Sequence, residues 1–148
     1  MLLQPGTATY EMDELELFVM PLELQTPLPV FPSAIEAAEV QPVTVCAELW
    51  LSASGDVTRV APIHDLPGCA EDDDVAAAFE QSVLAGLARW TFIPARVCRF
   101  REDQRGKRER GDCRGDVEIV SVPVRLAYAF RFERHQGRVA VGSRRLPD

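Results

Sequence analysis

Residues 83–95, Val83-Leu84-Ala85-Gly86-Leu87-Ala88-Arg89-Trp90-Thr91-Phe92-Ile93-Pro94-Ala95, decide the fold. Val75, Ala78, Phe79, Ser82, Val83, Gly86, Leu87 and Trp90 recur at spacings of three and four. That spacing predicts an amphipathic helix over about 73–90. Asp72-Asp73-Asp74 place negative charge at its N-terminus, where the helix dipole favours it. Thr91-Phe92-Ile93 then runs into Pro94, so the helix must stop and the chain leave it extended. Trp90 closes the apolar side of the helix and Phe92 follows two residues later, which lets both rings cover a sheet.

The sheet is expected on both sides of this helix. In Val43 to Ala53, Val43, Val45, Ala47, Leu49 and Leu51 share one face and Thr44, Cys46, Glu48 and Trp50 the other. Ser54-Gly55-Asp56 has turn chemistry and Val57 to Ile63 resumes an extended run, which predicts a hairpin. Trp50 falls on the more polar face and is expected to be packed under another element. Downstream, Val117 to Phe132 is the longest strand candidate, with Val120, Val122, Val124, Leu126, Tyr128, Phe130 and Phe132 on one parity. The expected fold is α+β: a small antiparallel sheet of about three strands, hairpin plus long C-terminal strand, packed on one amphipathic helix. Phe79, Leu87, Trp90, Phe92 and Val45 are its expected core.

The flanks read differently. Residues 1–42 hold six of the 11 prolines, which excludes a long helix there. Residues 1–30 are expected to be an extended proline-rich lead-in with at most a short strand around Leu15–Leu24, and Ser33 is placed to cap one or two helical turns. The domain proper spans 31–132. Within it 99–116 reads as a solvated basic insertion, and 133–148 as a polar, frayed tail in which Val139-Ala140-Val141 could pair.

A chain of 148 residues accommodates one domain, and 47% apolar with 26% charged residues is the balance of a folded one. The net charge of −7 conceals an asymmetry: residues 1–95 carry 15 acidic and 2 basic side chains, 96–148 carry 8 acidic and 14 basic. Such blocks attract each other within a fold or offer separate surfaces to partners, the first reading being the simpler. No apolar run is long enough to cross a bilayer and the first residues lack signal-peptide character, so the protein is expected to be cytosolic or to lack an upstream segment. The four cysteines form no closely spaced pair, and with His64 and His135 they suggest no metal site. Cys98 and Cys113 bracket the insertion as a disulfide would in an oxidising compartment, leaving Cys46 with Cys69; unpaired buried thiols are the other reading.

Four pieces in order resemble the TonB C-terminal domain family: Phe31-Pro32-Ser33-Ala34; Val43-Thr44-Val45 with Ser54-Gly55-Asp56-Val57; Arg89-Trp90-Thr91-Phe92-Ile93-Pro94-Ala95; and Val122-Pro123-Val124-Arg125-Leu126-Ala127-Tyr128. In that family an aromatic-proline pair opens the domain, a glycine turn joins two strands, the helix closes on W-x-F/Y-x-P, and a V-P-V strand ends it. Phe31 stands where the family has tyrosine, Gln41-Pro42 where it has glycine, and the insertion 99–116 exceeds the usual turn. The family's membrane helix and proline-rich spacer are absent from this sequence.

The resemblance implies a periplasmic protein-binding module, anchored to the inner membrane if an upstream segment is missing. Such a module captures a segment of an outer-membrane transporter, or another periplasmic protein, by strand addition to a sheet edge. By position the final strand 117–132 is the expected edge, with Phe31, Pro32, Val122, Val124, Leu126, Tyr128 and Phe130 as partner-binding residues. A homodimer through the same surface stays open, and a stand-alone TonB-like domain with another assembly role is the alternative. Two other classes are weaker. A nucleic-acid site on 99–116 would interleave Glu102, Asp103, Glu109 and Asp112 among its arginines. A hydrolase built on Ser54, Asp56 and His64 or His135 lacks a nucleophile-elbow context. No enzymatic activity, cofactor, membrane contact or nucleic-acid partner is expected.

Overall fold

The computed structural model describes residues 2–3 and 12–147. The rest of the first eleven residues of the lead-in, Asp148 and the side chains of Leu2, Leu3 and Val75 lie outside the described residues. The chain is α+β and its sheets are antiparallel, but it has more strands than a hairpin plus one long strand would supply. β1 (Leu2–Leu3), β2 (Glu16–Val19), β3 (Leu22–Gln25), β4 (Val40–Leu51) and β5 (Val57–Ile63) precede helix α1 (Asp74–Leu87). β6 (Thr91–Ile93), β7 (Ala95–Arg99), a 3-10 turn at Glu102–Gln104, α2 (Arg105–Glu109), β8 (Glu118–Val122), β9 (Val124–His135) and β10 (Arg138–Arg145) follow. They form a five-stranded sheet of order β1-β9-β4-β5 with β10 also on β9, a three-stranded sheet β2-β7-β8, and the pair β3-β6.

Prolines explain why the smaller sheets are separate. Val19 pairs with Arg96 and Leu22 with Ile93, so the register between them sets Pro21 opposite Pro94. Neither proline has an N–H to give, and the ladder breaks where they face each other. The lead-in is thus laid antiparallel to 91–99, broken at the facing prolines and shifted in register again between Glu23 and Gln25. Pro123 acts in the same way on the expected strand 117–132, which is two strands: β8 pairs with β7, and beyond the proline β9 pairs with β4.

The core follows from register. Val45 lies opposite Phe130, Ala47 opposite Tyr128, Leu49 opposite Leu126 and Leu51 opposite Val124, so the apolar parities of β4 and β9 share a face. Phe79, Val83 and Leu87 of α1 pack on that face together with Trp90 and Phe92. Asp73 caps the helix, its Oδ1 accepting from the Ala76 amide at 2.9 Å. The helix ends at Leu87, three residues earlier than its spacing suggests, and Trp90 closes a further turn by donating its amide to the Leu87 carbonyl at 3.1 Å. On the outer side of α1 the lead-in lies against the helix. The Trp90 indole N–H donates to the Pro27 carbonyl at 2.9 Å, the Ser82 hydroxyl donates to the Val30 carbonyl, and Gly86 lets Pro29 approach. On the opposite face of the sheet Trp50 is buried, with the guanidinium of Arg59 4.5 Å and that of Arg125 5.9 Å from its ring centre.

Both disulfides are formed. Cys46–Cys69 ties the β5–α1 connection to β4, and Cys98–Cys113 closes the insertion onto β7. By loop-closure entropy a bridge over fifteen residues stabilises by about 3 kcal/mol. The insertion is ordered rather than a solvated loop. Cys98, Phe100 and Val117 form a small second core with Leu15, Leu17 and Val19, and buried Gln104 donates to Asp116 Oδ1 at 3.0 Å while accepting from the Arg101 amide at 2.9 Å. The sequence 33–36 makes a single turn, closed by the Ile35 amide on the Pro32 carbonyl at 3.2 Å, and not a capped helix.

Two glycines test separate constraints. Gly55 has φ +90°, and a Cβ there would sit 2.0 Å from the Phe92 carbonyl oxygen; Gly137 has φ +77° with open space around it. Gly55→Ala is expected to cost about 3 kcal/mol or more, from left-handed strain plus collision with backbone, and Gly137→Ala about 1 kcal/mol from strain alone. Urea unfolding of the two variants checks this, and equal losses would refute the contact between the β4–β5 turn and β6.

Candidate functional site

The expected edge is not an edge. β4 runs along one side of β9 from Leu51↔Val124 to Val40↔Arg134, and the other side carries β1 at Val124 and Arg125 and β10 from Tyr128 to His135. Val124, Leu126, Tyr128 and Phe130 point into the core and are buried. They cannot present side chains to a partner. Val122 lies on β8 in the smaller sheet and is half-buried against the main core. Phe31 is half-buried as well, edge-on to Phe79 at 5.5 Å and to Phe132 at 6.1 Å, with the Arg134 guanidinium 4.5 Å from its ring centre. Pro32 is half-buried at the turn beside it. The structure therefore brings Phe31 and Pro32 to the far end of β9 from Val122 and Val124.

What displaces the edge is the segment expected to fray. Gln136 and Gly137 have φ of +50° and +77°, the left-handed pair that a two-residue hairpin loop requires. Arg138–Arg145 then folds back along β9, eight residues in unbroken register. The turn is held from outside: the Gly137 amide donates to the Ala38 carbonyl at 3.0 Å, and Glu39 accepts from the Gln136 amide at 2.8 Å and contacts His135 Nδ1 at 3.0 Å. Val141 packs against the core, so even this polar stretch has one apolar anchor.

The orientation of the outer margin follows from hairpin geometry. In a two-residue loop the flanking pair, here His135 and Arg138, exchanges both backbone bonds, and positions then alternate. Arg138, Ala140, Gly142 and Arg144 turn their N–H and C=O groups towards β9; Val139, Val141 and Ser143 turn theirs away. The Leu146 amide, which donates to the Ala127 carbonyl at 2.8 Å, keeps that phase. Among the described residues no strand pairs with this outer side. The margin is also basic, since Arg138, Arg144 and Arg145 fall in 136–147, which contains no acidic residue. The signals in the sequence were the Gln136-Gly137 dipeptide and the alternation Val139-Ala140-Val141.

Other free margins suit an incoming strand less well. β5 contains Pro62, and β8 has five residues ending at Pro123. β10 is locked at its far end by a cluster spanning three strands. The Tyr128 hydroxyl donates to Glu23 Oε1 at 2.8 Å and accepts from Arg145 Nη2 at 2.9 Å. Burial pushes the phenol well above its ordinary pKa, so it stays a donor at any physiological pH. In the insertion, by contrast, three of the arginines are taken up by nearby carboxylates. Arg101 reaches Asp103 at 3.1 Å and Asp116 at 3.0 Å, Arg105 reaches Glu102 and Glu14, and Arg114 holds Asp112 down to about 2 through side-chain and backbone hydrogen bonds. The residues of the hydrolase reading are engaged elsewhere, His64 with Glu80 and His135 with Glu39.

No family model matches the chain, and no curated protein or solved structure matches it.

Tyr128→Phe deletes the hydroxyl that joins β3, β9 and β10. A loss of about 1 to 2 kcal/mol in urea unfolding is expected, with faster amide exchange in 144–146. Unchanged stability and exchange would show that Arg145 and Glu23 do not fasten β10.

Proposed function

We propose that this chain is a protein-binding module that takes up an extended, acidic segment of a partner by strand addition along the outer margin of β10. The observation that carries this reading is the outward-facing backbone of Val139, Val141 and Ser143, unpaired among the described residues at the margin of the largest sheet. Such a row binds an extended peptide by main-chain bonds with little demand on its sequence. The arginines add a preference for negative charge and would speed association at low salt. They also oppose self-pairing, because an antiparallel copy of β10 would bring Arg138 against Arg144 or Arg145, and like charges opposite each other destabilise a ladder.

Two further observations agree with a periplasmic role. Disulfides form and persist in oxidising compartments, and both cysteine pairs are bridged. The ordered motifs that resemble the TonB C-terminal domain supply a partner class, the periplasm-facing segment of an outer-membrane transporter. The place of capture moves from 117–132 to the strand beyond it. Among the described residues no helix is long and apolar enough to cross a membrane, so anchoring is a property of another segment or another protein. Nothing in this reading requires a catalytic step.

The test is an amide-shift titration of the isotopically labelled chain with a ten-residue peptide alternating Glu or Asp with Val or Thr, alongside transporter-derived peptides. Shifts concentrated at 139, 141 and 143, weakened by salt, are expected. Ser143→Pro removes one outward N–H without touching the β9 ladder and should weaken binding at least about tenfold, the loss of one well-made hydrogen bond plus local clash. Shifts confined to β5 or β8, or no binding stronger than about 1 mM, would overturn the assignment to β10.

A further inference from the structure

On the opposite margin of the sheet, three side chains from three segments converge. His64 follows the end of β5, Asp72 lies just before α1 and Glu80 sits in the second turn of α1; one ligand atom from each lies within 4.8 Å of the others. Their positions are fixed by local structure. Cys46–Cys69 staples the connection between His64 and Asp72 to β4, and the Ala70 amide donates to the Thr44 carbonyl at 2.8 Å. The helix start is set by Asp73, whose carboxylate caps Ala76. Asp72 is therefore not the capping residue and is exposed, while His64 and Glu80 are half-buried and in direct contact.

Charge in this region is one-sided. Residues 60–88 contain Asp65, Glu71, Asp72, Asp73, Asp74 and Glu80 and no lysine or arginine. Dipole complementarity accounts for the acids of the first helical turn, but not for Asp65, nor for Glu80 beside a histidine.

We propose that His64, Asp72 and Glu80 form a binding site for a divalent transition-metal ion of the zinc class. One imidazole and two carboxylates neutralise a divalent cation and leave coordination positions for water. Two ligand atoms on one such ion lie at most about 4.3 Å apart, twice a metal–ligand bond. The observed spacing asks for a small movement of the exposed Asp72 side chain and for His64 and Glu80, now in contact, to part far enough to admit the ion. Binding replaces the hydrogen bond between His64 and Glu80. Imidazole nitrogen selects against calcium and magnesium, which take oxygen ligands. The ion would clamp the β5–α1 connection to the helix, on the side of the molecule away from β10.

The chain has two histidines, and the second makes an internal control because His135 meets one carboxylate, Glu39, and among the described residues no third ligand. The experiment is a titration of the full, disulfide-intact chain with zinc chloride, followed by calorimetry and by ring-nitrogen NMR of both histidines. Saturable one-to-one binding is expected, with the His64 resonances moving and those of His135 unmoved. Asp72→Ala, at an exposed position, and Glu80→Gln should each weaken binding at least about tenfold, by comparison with losses on removing even outer-shell partners. Circular dichroism verifies that each variant is folded, and His64→Ala should abolish binding while His135→Ala leaves it intact. The proposal is overturned by absence of saturable binding below about 1 mM, by equal response of both histidines, by undiminished affinity in folded Asp72→Ala, or by calcium chloride competing on equal terms.

Discussion

The amide of Phe92 donates to the carbonyl of Gly55 at 2.9 Å, and the rest of the architecture is arranged around that contact. It joins the tip of the β4–β5 hairpin to the segment leaving the helix, so sheet and helix are fixed at two points and not only by α1 lying on a face. Asp56 forms a bridge with Thr91 beside it. With the backbone pinned there, Trp90 has little choice of direction. Its ring meets Tyr128 at 5.0 Å and Phe130 at 5.7 Å, both edge-on, the favourable geometry for aromatic pairs. Glycine at 55 is a condition of this closeness, since any Cβ would occupy the space of the Phe92 carbonyl.

From that point the chain path is governed by where N–H groups are missing. Pro94 ends the helix's continuation and, opposite Pro21, interrupts the ribbon that the lead-in makes with 91–99. Pro123 lets one apolar alternation serve two sheets, β8 on β7 and β9 on β4. An edge has to be read from partners on both sides, and the partners of β9 come from opposite ends of the chain. Leu2–Leu3 and Arg138–Arg145 share its outer side because β4 fills the inner side along nearly its whole length.

This division explains what the sequence disclosed. Alternation in Val43 to Leu51, the glycine turn and the three-and-four spacing of α1 are local signals carried by apolar side chains, and each marks an element present in the structure. The cysteine pairing was legible because the insertion is bracketed by Cys98 and Cys113, which leaves one other pair. The role of 133–148 was hidden because β10 buries little apolar surface: Val139 is 51% exposed, and Val141 is the apolar side chain of β10 that packs on the core. Its order comes from the Gln136-Gly137 turn, which is local, and from the contacts of Glu39 and the Tyr128–Arg145–Glu23 cluster, which are tertiary and leave no periodic trace. The lead-in was similarly opaque, because proline content marks an absence of helix without naming the strand that 16–25 would join. His64, Asp72 and Glu80 are separated by eight residues each and acquire meaning only when the β5–α1 connection folds back.

The asymmetry of charge along the chain resolves into attraction and residue. Glu16 meets Arg99 at 3.2 Å, Glu14 meets Arg105 at 2.7 Å, and Glu48 and Glu23 reach Arg125 and Arg145 at 3.7 Å. In each case an acid from the first 95 residues is paired with a base from the remainder. Half of these groups are exposed and the others half-buried, so each pair contributes little alone, on the order of 0 to 1 kcal/mol. What is left over is spatially separated. Arg138 and Arg144 make no ion pair with the described residues, and they flank the outer margin of β10. The acids between 60 and 88 have no lysine or arginine in their own segment and gather at the other margin, beyond β5. A five-stranded sheet thus carries a basic rim suited to an acidic strand and an acidic rim suited to a cation, with β9, β4 and their aromatic core holding the two apart.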